Sequence, residues 1–255
     1  FGVVTAAAAV HPDRTLLIPC LHDEPFAYSS VIREMFDAVR GCLFNGEPER
    51  DLAHRLYHYA PSRGRVVGMG LDPFEVDSKA FAKDRKLQFS YVFYAGRRED
   101  GKSTPLLVDY VDAFRRRTGR DIRLVSCGSG RIEGRPFVLD LGFVSEQVKR
   151  EAMAGAAVFA HPSRMESLSI VLLESFLAGT PGLVRAQCET LRWQCSRSGG
   201  GLWWRWYPDF EEELIRLLDD SGLRDTLGRQ GREFVQREYA WPAVESRLLD
   251  AVDHL

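Results

Sequence analysis

The sequence predicts an α/β protein built on parallel sheets, and three observations carry that prediction. Short β-rich runs alternate with amphipathic stretches from one end of the chain to the other, a rhythm that excludes sandwiches and bundles. Three strand candidates precede residue 73 and six follow it, enough for half of one doubly wound domain and the whole of a second. Between the two groups, Gly68-Met-Gly-Leu-Asp-Pro73 punctuates the chain, and the polar stretch to Lys86 reads as a linker with an excursion.

In chain order, strands are expected at Leu16–Cys20, Cys42–Phe44 and Arg65–Met69. Helical patterns separate them at Phe26–Val39 and Pro48–Tyr59, the second opening with Pro and carrying Glu in its first turn. The second group of strands comprises Tyr91–Tyr94, Ile122–Cys127, Val138–Leu141, Ala157–Ala160, Gly182–Val184 and Gly201–Trp204. A helix over Thr104–Thr118 sets Leu107, Tyr110, Val111 and Phe114 on one face and stops at Gly119. The expected division is residues 1–73, residues 74–240, and a closing helix over 241–255 that packs back on the first part. The chain begins at Phe1 rather than Met, so the other half of the first domain is expected to precede it.

Composition narrows the function classes. With 45% apolar and 27% charged residues, 22 Gly and 12 Pro, the 255-residue chain is neither collagen-like, coiled-coil nor wholly disordered. A formal net charge of −2 provides no overall field for nucleic acid. The 29 Arg against 5 Lys carry little weight. Five widely spaced cysteines without a Cys-x-x-Cys fit reduced thiols in a cytoplasmic protein. No apolar run approaches the roughly 18 residues of a membrane span, and the opening residues lack the basic start of a signal peptide.

Chemistry concentrates in two segments. In His161-Pro-Ser-Arg-Met-Glu166, followed by a helix expected to start near Ser169 and to carry Glu174, two carboxylates bracket a helix N-terminus. Exposed N–H groups favour an anion there, most naturally a diphosphate, while a carboxylate accepts hydrogen bonds from a sugar diol. Anion and polyol together point to a nucleotide sugar. The second segment, Val92-Phe-Tyr-Ala-Gly96-Arg97-Arg98, continues through a loop to Lys102. Arg97 and Lys102 can clamp phosphate oxygens and neutralise a departing diphosphate. Neither a P-loop nor an Asp-x-Asp is present, so cationic side chains would replace magnesium, and no metal ligands are assigned.

With these residues in view, the sequence resembles the retaining GT-B glycosyltransferases of family 4, also called group 1 glycosyltransferases. Glu166 and Glu174 match their Glu-x7-Glu signature. Gly96-Arg97 with Lys102, Cys127-Gly-Ser-Gly130, Leu141-Gly-Phe-Val144, Gly179-Thr-Pro181 and Tyr239-Ala-Trp241 extend the match along nearly the whole chain. The resemblance implies a GT-B fold: a complete C-terminal Rossmann-like domain beside a partial N-terminal one. It also implies that Gly96, Arg97, Lys102 and the backbone around Leu168, Ser169 and Ile170 bind the donor diphosphate. Glu166 would touch the donor sugar, Glu174 the ribose, and His22, in Leu21-His22-Asp23-Glu24, would face the reacting carbon. Many relatives have Gly where Ser169 stands. The implied reaction is metal-independent, front-face transfer with retention, from a UDP- or GDP-linked sugar to a hydroxyl of a saccharide, lipid or small molecule, with no further cofactor. The alternatives are a non-catalytic nucleotide-sugar-binding module, and another GT-B enzyme such as an epimerase or an inverting transferase.

Other features have plainer readings. Arg98 is expected in solvent. His54 and His58 share an i, i+4 spacing, but Arg55 stands where a zinc protease needs Glu. Trp203, Trp204 and Trp206 read as packing rather than a sugar platform. Arg115–Arg117 suits a helix C-terminus, with peripheral membrane contact as a lesser alternative. Cys188 and Cys195 read as ordinary buried or helix-face thiols.

Overall fold

The computed structural model describes residues 2–132 and 134–255. It divides into two compact units, one made of Phe1–Asp72, Met165–Leu168 and Arg237–Leu255, the other of Pro73–Arg164 and Ser169–Gln236.

The first unit holds three parallel strands, β1 (Leu16–Leu17), β2 (Gly41–Phe44) and β3 (Gly64–Val66), in that spatial order. β2 is central and buried throughout, as its continuous apolar run requires when both faces are covered. β1 is shorter than expected because Pro19 and a left-handed Cys20 (φ 48°) turn the chain away. The pattern over Phe26–Val39 also divides. A 3-10 turn over Pro25–Tyr28 gives way at an extended Ser29 to the helix Ser30–Ala38, which buries Ile32, Met35 and Phe36. Phe36 packs against Tyr57 and Tyr59, with ring centroids 4.6 and 5.6 Å away. The helix Trp241–His254 buries Val244 and Ala251 against Leu43 and Val67. Around its start, Leu71 N–H donates to the Tyr239 carbonyl at 2.8 Å, and the Trp241 indole donates to Asp72 at 2.9 Å.

The second unit is a six-stranded, wholly parallel sheet. Its strands are β4 (Ser90–Ala95), β5 (Ile122–Cys127), β6 (Val138–Asp140), β7 (Val158–His161), β8 (Gly182–Arg185) and β9 (Gly201–Trp204), ordered β6-β5-β4-β7-β8-β9. The order reverses between β4 and β7, which pair through Val92↔Val158 and Phe93↔Phe159. In a doubly wound sheet such a reversal opens a crevice at the strands' carboxyl ends, where ligands bind. The helix Thr104–Thr118 covers one face with Leu107, Val108, Val111 and Phe114, and ends at left-handed Gly119 (φ 70°). The stretch before β4 contains one short helix, Ala80–Asp84. Among the described residues, no helix is long and apolar enough to cross a membrane.

Candidate functional site

The loop after β4 is shaped by a backbone contact. Gly96 N–H donates to the Cys127 carbonyl at 3.0 Å, and a Cβ on Gly128 would stand 2.1 Å from the Gly96 carbonyl oxygen. Gly128 also has φ +126°, so glycine is required there both for space and for backbone conformation. The loops after β4 and β5 therefore lie directly against each other. Tyr94 then donates its hydroxyl to the Arg97 carbonyl at 2.7 Å. The Arg97 guanidinium itself is exposed and pairs with Glu99 at 3.1 Å.

Arg98 corrects the expectation of a solvated side chain. Its guanidinium is buried, forms an ion pair with Asp140, and donates to the carbonyls of Gly128 and Gly130. It thus fastens the loops after β4 and β5 to the end of β6. Beyond it, Lys102 is half-buried at the end of the 3-10 turn Asp100–Lys102, and left-handed Ser103 (φ 56°) leads into the helix Thr104–Thr118.

After β7 the chain reaches the helix Ile170–Leu177. Ser169 is its N-cap: the hydroxyl oxygen accepts from Leu172 N–H at 3.4 Å, and the Ser169 carbonyl accepts from the Gln194 amide at 3.4 Å. Ile170 begins the helix with its side chain partly in solvent. In the second turn Glu174 is 13% exposed and ion-paired to Lys149, whose ammonium lies 3.0 Å from it and 2.8 Å from Glu146. Burial works against the Lys149 charge, yet the two carboxylates more than offset it and raise its pKa. Lys149 was not anticipated as a partner, since nothing local in the helix Glu146–Ala154 marks which of its polar residues meets Glu174.

Gly96, Arg97, Lys102, Ser169, Ile170 and Glu174 fall within the second unit, in the segments that follow the paired strands β4 and β7. His22, Glu166 and Leu168 fall within the first. Glu166 and Leu168 are half-buried in the segment just before the Ser169 cap. His22 follows the left-handed Cys20, and its Nδ1 is 3.2 Å from Glu24. A residue absent from the expected set anchors this turn. Buried Glu49 accepts Leu21 N–H at 2.5 Å through one oxygen and Asn45 N–H at 2.7 Å through the other. Burial pushes its carboxyl up to about 7, although both N–H groups pull it down. The local signal was a Glu in the first turn of the helix Glu47–Tyr57, which also suits an exposed dipole partner.

The lesser features resolve as follows. His58 stands beyond the helix in the left-handed region (φ 54°), while the His54 ring lies 3.1 Å from the Tyr59 carbonyl, so the two do not share a helix face. Among the described residues, no group of three or more His, Cys, Asp and Glu side chains could hold a metal ion. Trp204 is buried against Tyr110 and Phe210, whereas Trp203 and Trp206 are partly in solvent. Arg115, Arg116 and Arg117 pair with Asp121, Asp112 and Glu211. None of the five cysteines is in a disulfide, and burial pushes Cys127 up to about 11 and Cys42 to about 12.

Residues 76–234 match the family described as glycosyl transferases group 1. The chain belongs to that family. A D-inositol 3-phosphate glycosyltransferase of Saccharomonospora viridis is 29% identical to this glycosyltransferase-family chain over 234 residues, 82% of this chain and 54% of that protein. An uncharacterized glycosyltransferase of Methanocaldococcus jannaschii is 24% identical over 220 residues, 76% of this chain and 55% of the relative. The chain thus spans about half the length of these curated relatives. In structure it resembles Anabaena HepE in complex with UDP-glucose, with a TM-score of 0.80 at 13% identity over 100% of this chain and 76% of that one. Sucrose-phosphate synthase from Thermosynechococcus elongatus matches with a TM-score of 0.72 at 18% identity, over 88% and 60%. The fold is that of the GT-B glycosyltransferases.

Proposed function

We propose that this chain carries the donor site of a metal-independent, retaining glycosyltransferase that moves a sugar from a nucleoside diphosphate to a hydroxyl acceptor. The observation that carries the reading is a pairing of loops at the reversal of one parallel sheet. A cationic loop, Gly96–Lys102, follows β4; a serine-capped helix start and the ion-paired Glu174 follow β7. Helix N–H groups and cations suit a diphosphate, and a fixed carboxylate suits a ribose diol.

In this reading Arg97 and Lys102, on the loop that begins at Gly96, neutralise the diphosphate as the bond to the anomeric carbon breaks and its electron pair passes to the phosphate oxygen. The N–H groups near Leu168, Ser169 and Ile170 assist. The acceptor oxygen bonds to the same face of that carbon, and its proton passes to the departing phosphate. Glu174 accepts the ribose hydroxyls, and its ion pair with Lys149 holds the carboxylate in place. His22 and Glu166 are assigned to the sugar by family resemblance alone. HepE in complex with UDP-glucose and a GDP-mannose-dependent relative in Corynebacterium glutamicum support UDP or GDP as the carrier.

The test is thermal unfolding of the chain with UDP, GDP, ADP and dTDP in chelator. One nucleotide should stabilise it, by about 2.7 kcal/mol at 100 times its dissociation constant, and Glu174→Ala should weaken that effect. No stabilisation by any of the four overturns the donor-site reading. In an active full-length form, Arg97→Ala or Lys102→Ala should cost about 10²–10³ in rate. An inverted anomer in the product refutes retention.

A further inference from the structure

Arg185 ends β8, the strand beside β7, so it stands at the same carboxyl edge as the loops described above. Its Nη1 donates to the Ser103 hydroxyl at 3.1 Å, and Ser103 immediately follows Lys102. Its Nε donates to the Gln187 side chain at 3.3 Å, and its guanidinium carbon lies 5.8 Å from the centroid of the Trp204 ring. All three partners are neutral. Among the described residues, no carboxylate pairs with this half-buried guanidinium.

Other cations of this unit are treated differently. Buried Arg98 has Asp140, and half-buried Lys149 has Glu146 and Glu174. Arg185 instead has a second cation nearby: burial and the charge of Arg164 both lower its hold on its proton. A partly desolvated guanidinium close to a like charge costs free energy that an incoming anion recovers. A guanidinium has five N–H donors, and two hydrogen bonds to side chains occupy only part of them.

We propose that Arg185 is a third cationic ligand of the donor diphosphate, acting beside Arg97 and Lys102. The inference rests on the donor-site reading and adds to it a residue from a different strand. Arg185 touches the phosphate oxygens that receive the electron pair when the bond to the anomeric carbon breaks, so its contact strengthens as charge accumulates there.

The test is calorimetric titration of the chain with the nucleoside diphosphate and monophosphate of the preferred base. Arg185→Gln should weaken the diphosphate about tenfold or more and the monophosphate far less. Ser103→Ala, which removes the hydrogen bond but leaves the charge, should stay within about twofold. Arg185→Lys, which keeps a charge if the Gln variant fails to fold, should lose less than Gln does. Equal losses in Arg185→Gln and Ser103→Ala would mean that Arg185 only braces the loop, and would overturn the proposal. Wild-type affinity in Arg185→Gln would overturn it while leaving the donor site intact. Failure of the wild-type chain to bind any diphosphate would instead remove the donor-site reading on which the proposal stands.

Discussion

Raising the pH should weaken the fold of this protein relative to its Glu49→Gln variant. Glu49 is 2% exposed, and burial moves its carboxyl from 4.5 to about 7 against the pull of the Leu21 and Asn45 N–H groups. At 1.36 kcal/mol per pH unit, that displacement is worth about 3 kcal/mol. The sign follows from proton counting. Between those two pH values the folded chain binds more protons than the unfolded chain, so the contribution is fully present below about 4.5 and lost as pH rises through about 7. Urea unfolding of both proteins at about pH 4, 5.5, 7 and 8.5 reads it as a difference in stability. The wild-type advantage over Glu49→Gln should shrink across the middle of that range and level off above it. A constant difference, or one that grows with pH, would refute the reasoning: the two N–H donors would then hold the ionised form more strongly than burial opposes it. Because one of those donors is Leu21, the same titration bears on how firmly the turn carrying His22 is held.

Gly128→Ala should lower the thermal midpoint by at least about 4 °C and abolish nucleotide binding, because the new Cβ would meet the Gly96 carbonyl at 2.1 Å; an unchanged melt with intact binding would refute the close approach. Lys149→Met should cost about 2 kcal/mol by stranding the 13%-exposed Glu174, and Lys149→Met combined with Glu174→Met should recover most of it. A double variant no more stable than the single one would show that the pair is not coupled. Arg98→Met should destabilise by about 3 kcal/mol, removing the cation that pairs with Asp140 and the donor to two carbonyls, whereas Arg97→Ala should leave the melt unchanged. Equal melts for the two would refute their different environments.

What the sequence disclosed and what it withheld divide along a physical line. Strand positions such as Ile122–Cys127 and the helix Thr104–Thr118 were legible because burial imposes a local period, and Gly119 marked the helix end by its freedom at positive φ. The break at Ser29 was not, since Phe26, Ile32, Met35 and Phe36 keep an apolar spacing that a single helix would also satisfy. Partners were harder still. Lys149 meets Glu174 across 25 residues and Arg98 meets Asp140 across 42, and no local pattern encodes which polar residues a fold will bring together. Arg97 and Arg98 are adjacent and chemically identical, yet the first pairs in solvent and the second is buried. The direction in which the chain leaves β4 at Gly96 separates them.

The candidate site was legible as a set of residue types, but not in how the work is shared among them. Ser169 stands where many members of the resembled family carry glycine, and its hydroxyl accepts from Leu172 N–H. That bond engages one of the first-turn N–H groups that would otherwise be offered to an anion. A helix start that offers fewer free N–H groups leaves more of the neutralisation to side chains. The same carboxyl edge carries Arg97 and Lys102 after β4, and Arg185 at the end of β8 with only neutral partners. In the donor site proposed above, the serine cap and the carboxylate-free arginine would be two sides of one arrangement, in which guanidinium and ammonium groups replace backbone dipoles as the main support for a diphosphate.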